Sequence, residues 1–76
     1  MTMFNVKVQW DPEAHVWWAE SNDVPGLVAE AATHDELLEE VRHLVPELLA
    51  LNSPQLDLTN AMVRFSSDRV ESVCYA

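Results

Sequence analysis

The side chains that could carry chemistry in this 76-residue chain are not grouped along the sequence. His34 and His43 are nine residues apart, whereas a zinc-binding pair on one helix face is only about three or four residues apart. A two-metal nuclease needs several carboxylates that converge on one pocket, and we expect Asp11 and Asp23 in loops at opposite ends of a sheet. We therefore predict that the protein is not an enzyme and has no catalytic residue, metal or cofactor.

The charge of the chain is strongly acidic. Thirteen acidic residues face four basic ones, and the formal net charge is −9 at pH 7. Such a field repels phosphate backbones and anionic membrane surfaces, which argues against direct binding of nucleic acid or membranes. It attracts a basic protein and accelerates the encounter with it. The acidity is also compatible with a role in solubility alone.

Eight residues are candidates for contact with a basic protein partner. Trp17 and Trp18 are consecutive in a predicted strand, so their side chains point to opposite faces. One is expected in the core and the other at a surface or an interface, where tryptophan is enriched. The acidic candidates lie in predicted loops and on a predicted helix. The full set is Asp11, Glu13, Trp17, Trp18, Asp23, Glu36, Glu39 and Glu40.

Three strands are predicted to position these residues. Residues 3–10 alternate between apolar and polar side chains, and residues 15–20 are rich in aromatic and β-branched ones. A type II turn is expected at Pro25-Gly26, since its second central residue needs a positive φ, and residues 27–31 then form the third strand. The short connections predict an antiparallel three-stranded meander.

A helix and a C-terminal strand or hairpin follow, so the fold class is α+β with the order β-β-β-α-β. Thr33 and Glu36 have the spacing of a capping box at the helix start. Pro46 interrupts the apolar stripe of the helix, and we expect a kink or a second short helix there. Residues 61–65 and 69–75 have strand-like sequence, with a turn expected between them at residues 66–68.

The length of the chain predicts one domain over residues 1–76 that needs help to be stable. A domain of this size buries only about 60–65% of the surface of its unfolded chain. Cys74 is the sole cysteine, so no internal disulfide is possible, and a reducing compartment is expected. Residues 1–5 lack the features of a signal peptide. We expect a cytoplasmic protein that forms a homodimer or higher homo-oligomer, or binds another protein.

Several short motifs and their order resemble a known family. The HicB-like antitoxin superfamily is the group that they resemble, and residues 44–49 resemble in particular a small, uncharacterised HicB-related family, the domain of unknown function 1902. The resemblance covers roughly residues 3–52. The motifs are Trp-Asp-Pro-Glu-Ala at 10–14, Val-Trp-Trp-Ala at 16–19, Asp-Val-Pro-Gly-Leu at 23–27, and Thr33 with Asp35-Glu36-Leu37.

The resemblance implies a truncated ribonuclease H-like fold without catalytic carboxylates. It also implies a partner, a small basic HicA-like toxin that cleaves messenger RNA and that the antitoxin neutralises. Many members of the superfamily carry a C-terminal helical segment that binds operator DNA. Residues after 61 are strand-like here, so the chain departs from that pattern, and regulation through DNA is not expected.

Two other classes of function remain open. The first is a self-assembling structural or ligand-sensing oligomer, in which edge strands pair between subunits. The second, less favoured, is a minimal metal-dependent nuclease on the ribonuclease H scaffold.

Overall fold

One helix packs on one face of a four-stranded sheet. The computed structural model describes residues 2–55 and 58–74. Strand β3 lies at one edge of the sheet, followed by β2, β1 and β4; β1 pairs antiparallel with β2 and parallel with β4. The elements in chain order are β1 (Thr2–Asp11), β2 (Val16–Glu20), β3 (Val28–Ala31), α1 (His34–Asn52) and β4 (Ala61–Asp68).

The period-two pattern of β1 decides which face of the sheet is buried. Phe4, Val6 and Val8 are buried, while the alternate residues Asn5 and Lys7 are exposed. Helix α1 covers the buried face with an apolar stripe spaced four residues apart, made of Leu37, Val41, Val45 and Leu49. The other face, which we call the open face, carries the side chains of Met3, Asn5, Lys7, Gln9, Asp11, Val16, Trp18, Glu20, Val28, Glu30, Met62, Arg64, Ser66 and Asp68.

Two turns connect the antiparallel strands, and side-chain or backbone chemistry explains each of them. In the first, Asp11 Oδ1 accepts hydrogen bonds from the amides of Glu13 and Ala14, at 3.0 and 3.3 Å. The second is the predicted type II turn, which is confirmed: the Leu27 amide donates to the Val24 carbonyl at 3.2 Å, and Gly26 has a φ of 81°. A side chain at Gly26 would be strained because L-residues rarely adopt this φ.

Helix α1 begins as predicted but continues past the predicted break. The Glu36 amide donates to Thr33 Oγ1 at 3.1 Å, which identifies Thr33 as the N-cap. The prediction of a second helix at Pro46 was wrong, since α1 runs through Pro46 to Asn52. Pro46 is exposed, so the Arg42 carbonyl that loses its intrahelical donor can bind water. No helix in the described part of the chain has the length and apolar composition needed to cross a membrane.

The α+β class is confirmed, and β1, β2 and β3 pair antiparallel in sequence order as predicted. The whole sheet differs from the predicted meander in strand count and order. The sheet has four strands and is mixed, because β4 pairs parallel with β1. The predicted turn at residues 66–68 was also wrong. These residues continue β4 because they pair with residues 7–9 of β1, and this ladder overrides their turn propensity. Residues 69–74 form no strand, and Tyr75 lies outside the described residues.

Candidate functional site

A shallow hollow between the open face and the β3 edge combines apolar and acidic side chains. Its volume is about 510 Å³. Trp18 and Val16 are half-buried in it, and Val28 is 77% exposed despite being apolar. None of the described residues that line it is basic. We call it the acidic hollow, and its lining residues are Asp11, Val16, Trp18, Val28, Ala29, Glu30 and Glu40.

The strand register explains why residues distant in sequence meet in the acidic hollow. Trp18 of β2 lies opposite Glu30 of β3, and Val16 of β2 lies opposite Asp11 of β1. Residues directly opposite each other in antiparallel strands point to the same face, so these four side chains share the open face. Helix α1 contributes Glu40 from the other side of the β3 edge.

The carboxylates of the acidic hollow differ in the hydrogen bonds and ion pairs that they form within the chain. Asp11 accepts hydrogen bonds from its own turn. Glu30 and Glu40 form no ion pair with any residue that the structure describes, whereas Glu39, one position before Glu40, lies 3.2 Å from Arg42 and 3.3 Å from His43. Glu30 and Glu40 are exposed, so their attraction for a cation is screened over about 8 Å at physiological salt.

The structure brings three of the eight predicted partner-binding residues together and leaves five elsewhere. Asp11, Trp18 and Glu40 line the acidic hollow. Sequence reasoning missed Val16, which precedes Trp18 by two positions on the same face of β2. It also missed Val28 and Glu30, which only the pairing of β2 with β3 places beside Trp18. The five residues outside the hollow are Glu13 in the first turn, Trp17 on the covered face, Asp23 after β2, and Glu36 and Glu39 on the outer surface of α1.

Trp17 belongs to an aromatic cluster on the covered face. It pairs with Trp10 across β1 and β2, with ring centroids 5.5 Å apart. The His34 ring meets Trp17 edge-on at 4.8 Å. The Arg69 guanidinium lies 4.2 Å from the centre of the Trp10 ring and 5.5 Å from that of Trp17, which adds a cation–π attraction. We infer a structural role for this cluster.

The same cluster holds the end of β4 against the helix start. His34 Nε2 lies 2.8 Å from Ser67 Oγ, and Arg69 follows β4 directly. The predicted turn at residues 66–68 concealed this arrangement, because a hairpin there would have turned Arg69 away from Trp10. In residues 2–55 and 58–74, no three His, Cys, Asp or Glu side chains are grouped closely enough to hold a metal ion.

Comparison with known proteins identifies the family of the chain. The family described as a domain of unknown function (DUF1902) matches residues 3–76. The chain belongs to this family. A hypothetical protein of the extremely thermophilic bacterium Thermus thermophilus has a similar crystal structure, with a TM-score of 0.71 and 42% sequence identity over 96% of this chain and 99% of that one. No curated protein matches the chain. None of these comparisons names HicB-like antitoxins.

In this DUF1902 domain, Asp23 connects the loop after β2 to β1 through hydrogen bonds. The register that pairs Lys7 with Glu20 would place residue 22 opposite Asn5, but β2 ends at Glu20. Asp23 Oδ2 instead accepts from the Asn5 amide at 2.7 Å and from Asn5 Nδ2 at 3.2 Å, and the Ser21 hydroxyl donates to the Asn5 carbonyl at 2.6 Å. Two side chains thus replace the missing strand partner.

Replacing Asp23 with alanine is expected to lower the free energy of unfolding by about 1 kcal/mol, since the Asn5 amide loses its acceptor. Asp23→Asn, which keeps one acceptor oxygen, is expected to lose less. Asn22→Ala is the matched control in the same loop. The measurement is urea unfolding monitored by circular dichroism. Equal losses for Asp23→Ala and Asn22→Ala would contradict the role assigned to Asp23.

Proposed function

We propose that this chain is a non-catalytic binding module that holds a small basic protein in the acidic hollow. The observation that carries the proposal is the composition of the hollow: a tryptophan and an exposed valine beside three carboxylates, with no basic residue among the described lining. Interface hot spots are enriched in tryptophan, and carboxylates bind arginine and lysine side chains by charge-assisted hydrogen bonds.

The charges that surround the hollow support the same kind of partner. The net charge of −9 steers a basic protein toward the chain from beyond contact distance. Glu30 and Glu40 form no ion pair among the described residues, so a partner's cation would not have to displace an internal one. The outer carboxylates Glu36 and Glu39 on α1 would add to the field without direct contact. Electrostatic matching of this kind mainly raises the association rate.

The class of partner comes from the sequence resemblance. A HicB-type antitoxin would neutralise a small basic HicA-like toxin that cleaves messenger RNA, and such a toxin has the charge that the acidic hollow fits. We place this function in the cytoplasm, where messenger RNA is cleaved and a lone cysteine stays reduced. On this proposal the chain blocks its partner by contact and itself carries out no reaction.

Amide chemical shifts measured by NMR test which surface binds cations. The probe is a short peptide in which arginine alternates with leucine, added to the isotopically labelled chain. We expect the largest shift changes at Trp18, Val28, Glu30 and Glu40, because there the carboxylates lie beside the apolar surfaces of Trp18 and Val28 in one hollow. Trp18→Ala is expected to reduce the affinity for the peptide by about tenfold, the size of a modest hot spot.

The outer surface of α1 is the internal control of this titration. Glu36 and Glu47 are exposed and do not line the hollow. Shift changes of equal size at Glu36, Glu47 and the hollow would show unspecific attraction to an acidic surface, and would contradict the proposal that the hollow is the binding site.

A further inference from the structure

The outer edge of β4 is a long strand edge without a covering element. Strand β4 pairs with β1 on one side only, and no described strand pairs with its other side. It is eight residues long, against four in the other edge strand, β3. Its sequence contains no proline, glycine or lysine, which are common protections of edge strands. The backbone groups on this edge are therefore available to another strand.

The side chains beside this edge are both apolar and charged. On the open face, Met62 is 50% exposed; Val70, two residues past the end of β4, is 77% exposed. Arg64 and Asp68 lie on the same face as Met62 and are exposed. Neither forms an ion pair with a residue in the described part of the chain. In β1, their neighbours across the ladder are the uncharged Asn5 and Gln9.

We propose that a second copy of this chain pairs antiparallel with the outer edge of β4, about a two-fold axis at Ser66. This register places Arg64 opposite Asp68 of the second copy, and the symmetry makes the contact twice. It also brings Met62 of each copy near the segment just past the end of β4 in the other, which contains the exposed Val70. The two four-stranded sheets become one continuous sheet with both helices on the same side.

Charge favours this register and this occupant, since only an axis at Ser66 places Arg64 opposite Asp68 of the second copy. An axis at Arg64 would place this arginine opposite itself, and an axis at Asp68 would do the same for the aspartate, so both registers are repulsive. Residues 61–74 contain two arginines and two acidic residues and are neutral, although the chain carries −9. Two copies can therefore meet here without the repulsion that the acidic β3 edge, with Glu30 and the nearby Glu40, would cause.

A charge swap tests the pairing on the full chain. Sedimentation equilibrium is expected to give a mass twice the 8.6 kDa of the chain. Arg64→Asp and Asp68→Arg are each expected to raise the dimer dissociation constant by about tenfold, since each places like charges opposite one another twice. The double variant restores the opposite charges and is expected to return to within about threefold of the original value. A monomer at every concentration, or a dimer that the single variants do not weaken, would overturn the proposal.

Cysteine cross-linking tests the register independently of affinity. In a Cys74→Ser background, Ser66→Cys places two thiols opposite each other at the axis, where Cβ atoms are about 4.5–5.5 Å apart, close to the separation that a disulfide bridges. The matched control is Ser72→Cys, which would lie opposite residue 60 rather than itself. We expect rapid covalent dimerisation of the first variant and slow reaction of the second. Equal rates would contradict an axis at Ser66.

Dimerisation at β4 and binding in the acidic hollow are independent and can be tested separately. The hollow lies at the β3 edge, the opposite edge of the sheet from β4, and no residue of β4 lines it. The Arg64 and Asp68 variants are therefore expected to leave peptide shifts at Trp18 unchanged. A dimer would present two hollows to its surroundings.

Discussion

Trp17→Ala is expected to lower the free energy of unfolding by about 2–3 kcal/mol, whereas Trp18→Ala should cost about 1 kcal/mol or less. Trp17 packs against the core and contacts the rings of Trp10 and His34. Trp18, its neighbour in sequence, points to the open face. The expected loss for Trp17→Ala is a large share of the total free energy of unfolding, which is typically about 0.05–0.15 kcal/mol per residue in small domains.

Thermal unfolding at fixed protein concentration measures this difference. A loss of this size corresponds to a fall in Tm of about 10–20 °C for a domain of this length. The concentration is held constant because self-association raises the apparent stability. Equal falls in Tm for both tryptophan variants would contradict the placement of Trp17 under the helix and Trp18 in the acidic hollow.

Reversal of two carboxylates in the acidic hollow is expected to have the largest effect on binding. The double variant Glu30→Lys, Glu40→Lys replaces attraction by repulsion, and like charges at an interface cost several kcal/mol. We expect the dissociation constant for a basic protein partner to rise by about 100-fold, which corresponds to about 2.7 kcal/mol. Both side chains are exposed, so stability should change little. Isothermal titration calorimetry with the purified partner measures the effect.

The matched control for this variant reverses charge elsewhere on the helix. Glu47→Lys changes the net charge by half as much as the double variant, at an exposed position outside the hollow. We expect less than about a threefold change in the dissociation constant, as for long-range attraction screened by salt. A loss of affinity for Glu47→Lys comparable with that of the double variant would show that overall charge, rather than the hollow, determines binding.

Local signals predicted the first three strands and the two turns between them, whereas long-range pairing decided the rest. The Pro25-Gly26 turn and the Thr33 cap each depend on a few neighbouring residues, and both are confirmed. The course of β4 depends on its ladder with β1, more than fifty residues earlier in the chain. Local turn propensity at residues 66–68 therefore gave the wrong prediction. The prediction of a second helix at Pro46 failed for a related reason, because tertiary packing of the helix outweighs one lost hydrogen bond.

The candidate site was predictable only in part. Trp18 and the acidic residues stand out by type, and alternation in the strand shows that Trp17 and Trp18 diverge. The register of β1 with β2 decides which of these two tryptophans packs under the helix. That register also pairs Trp10 with Trp17. Glu30 and Val28 have no distinguishing local pattern. They enter the acidic hollow only because β3 pairs with β2.

Capture from a lysate of the source organism tests most directly whether the chain binds a basic protein through the acidic hollow. The tagged chain, the Glu30→Lys, Glu40→Lys variant and the Glu47→Lys control are compared at low and high salt, and bound proteins are identified by mass spectrometry. We expect the original chain and the control to retain one small basic protein at low salt and less of it at high salt, and the double variant to lose it. Recovery of the chain without a basic protein, or equal capture by the double variant, would contradict the proposed function.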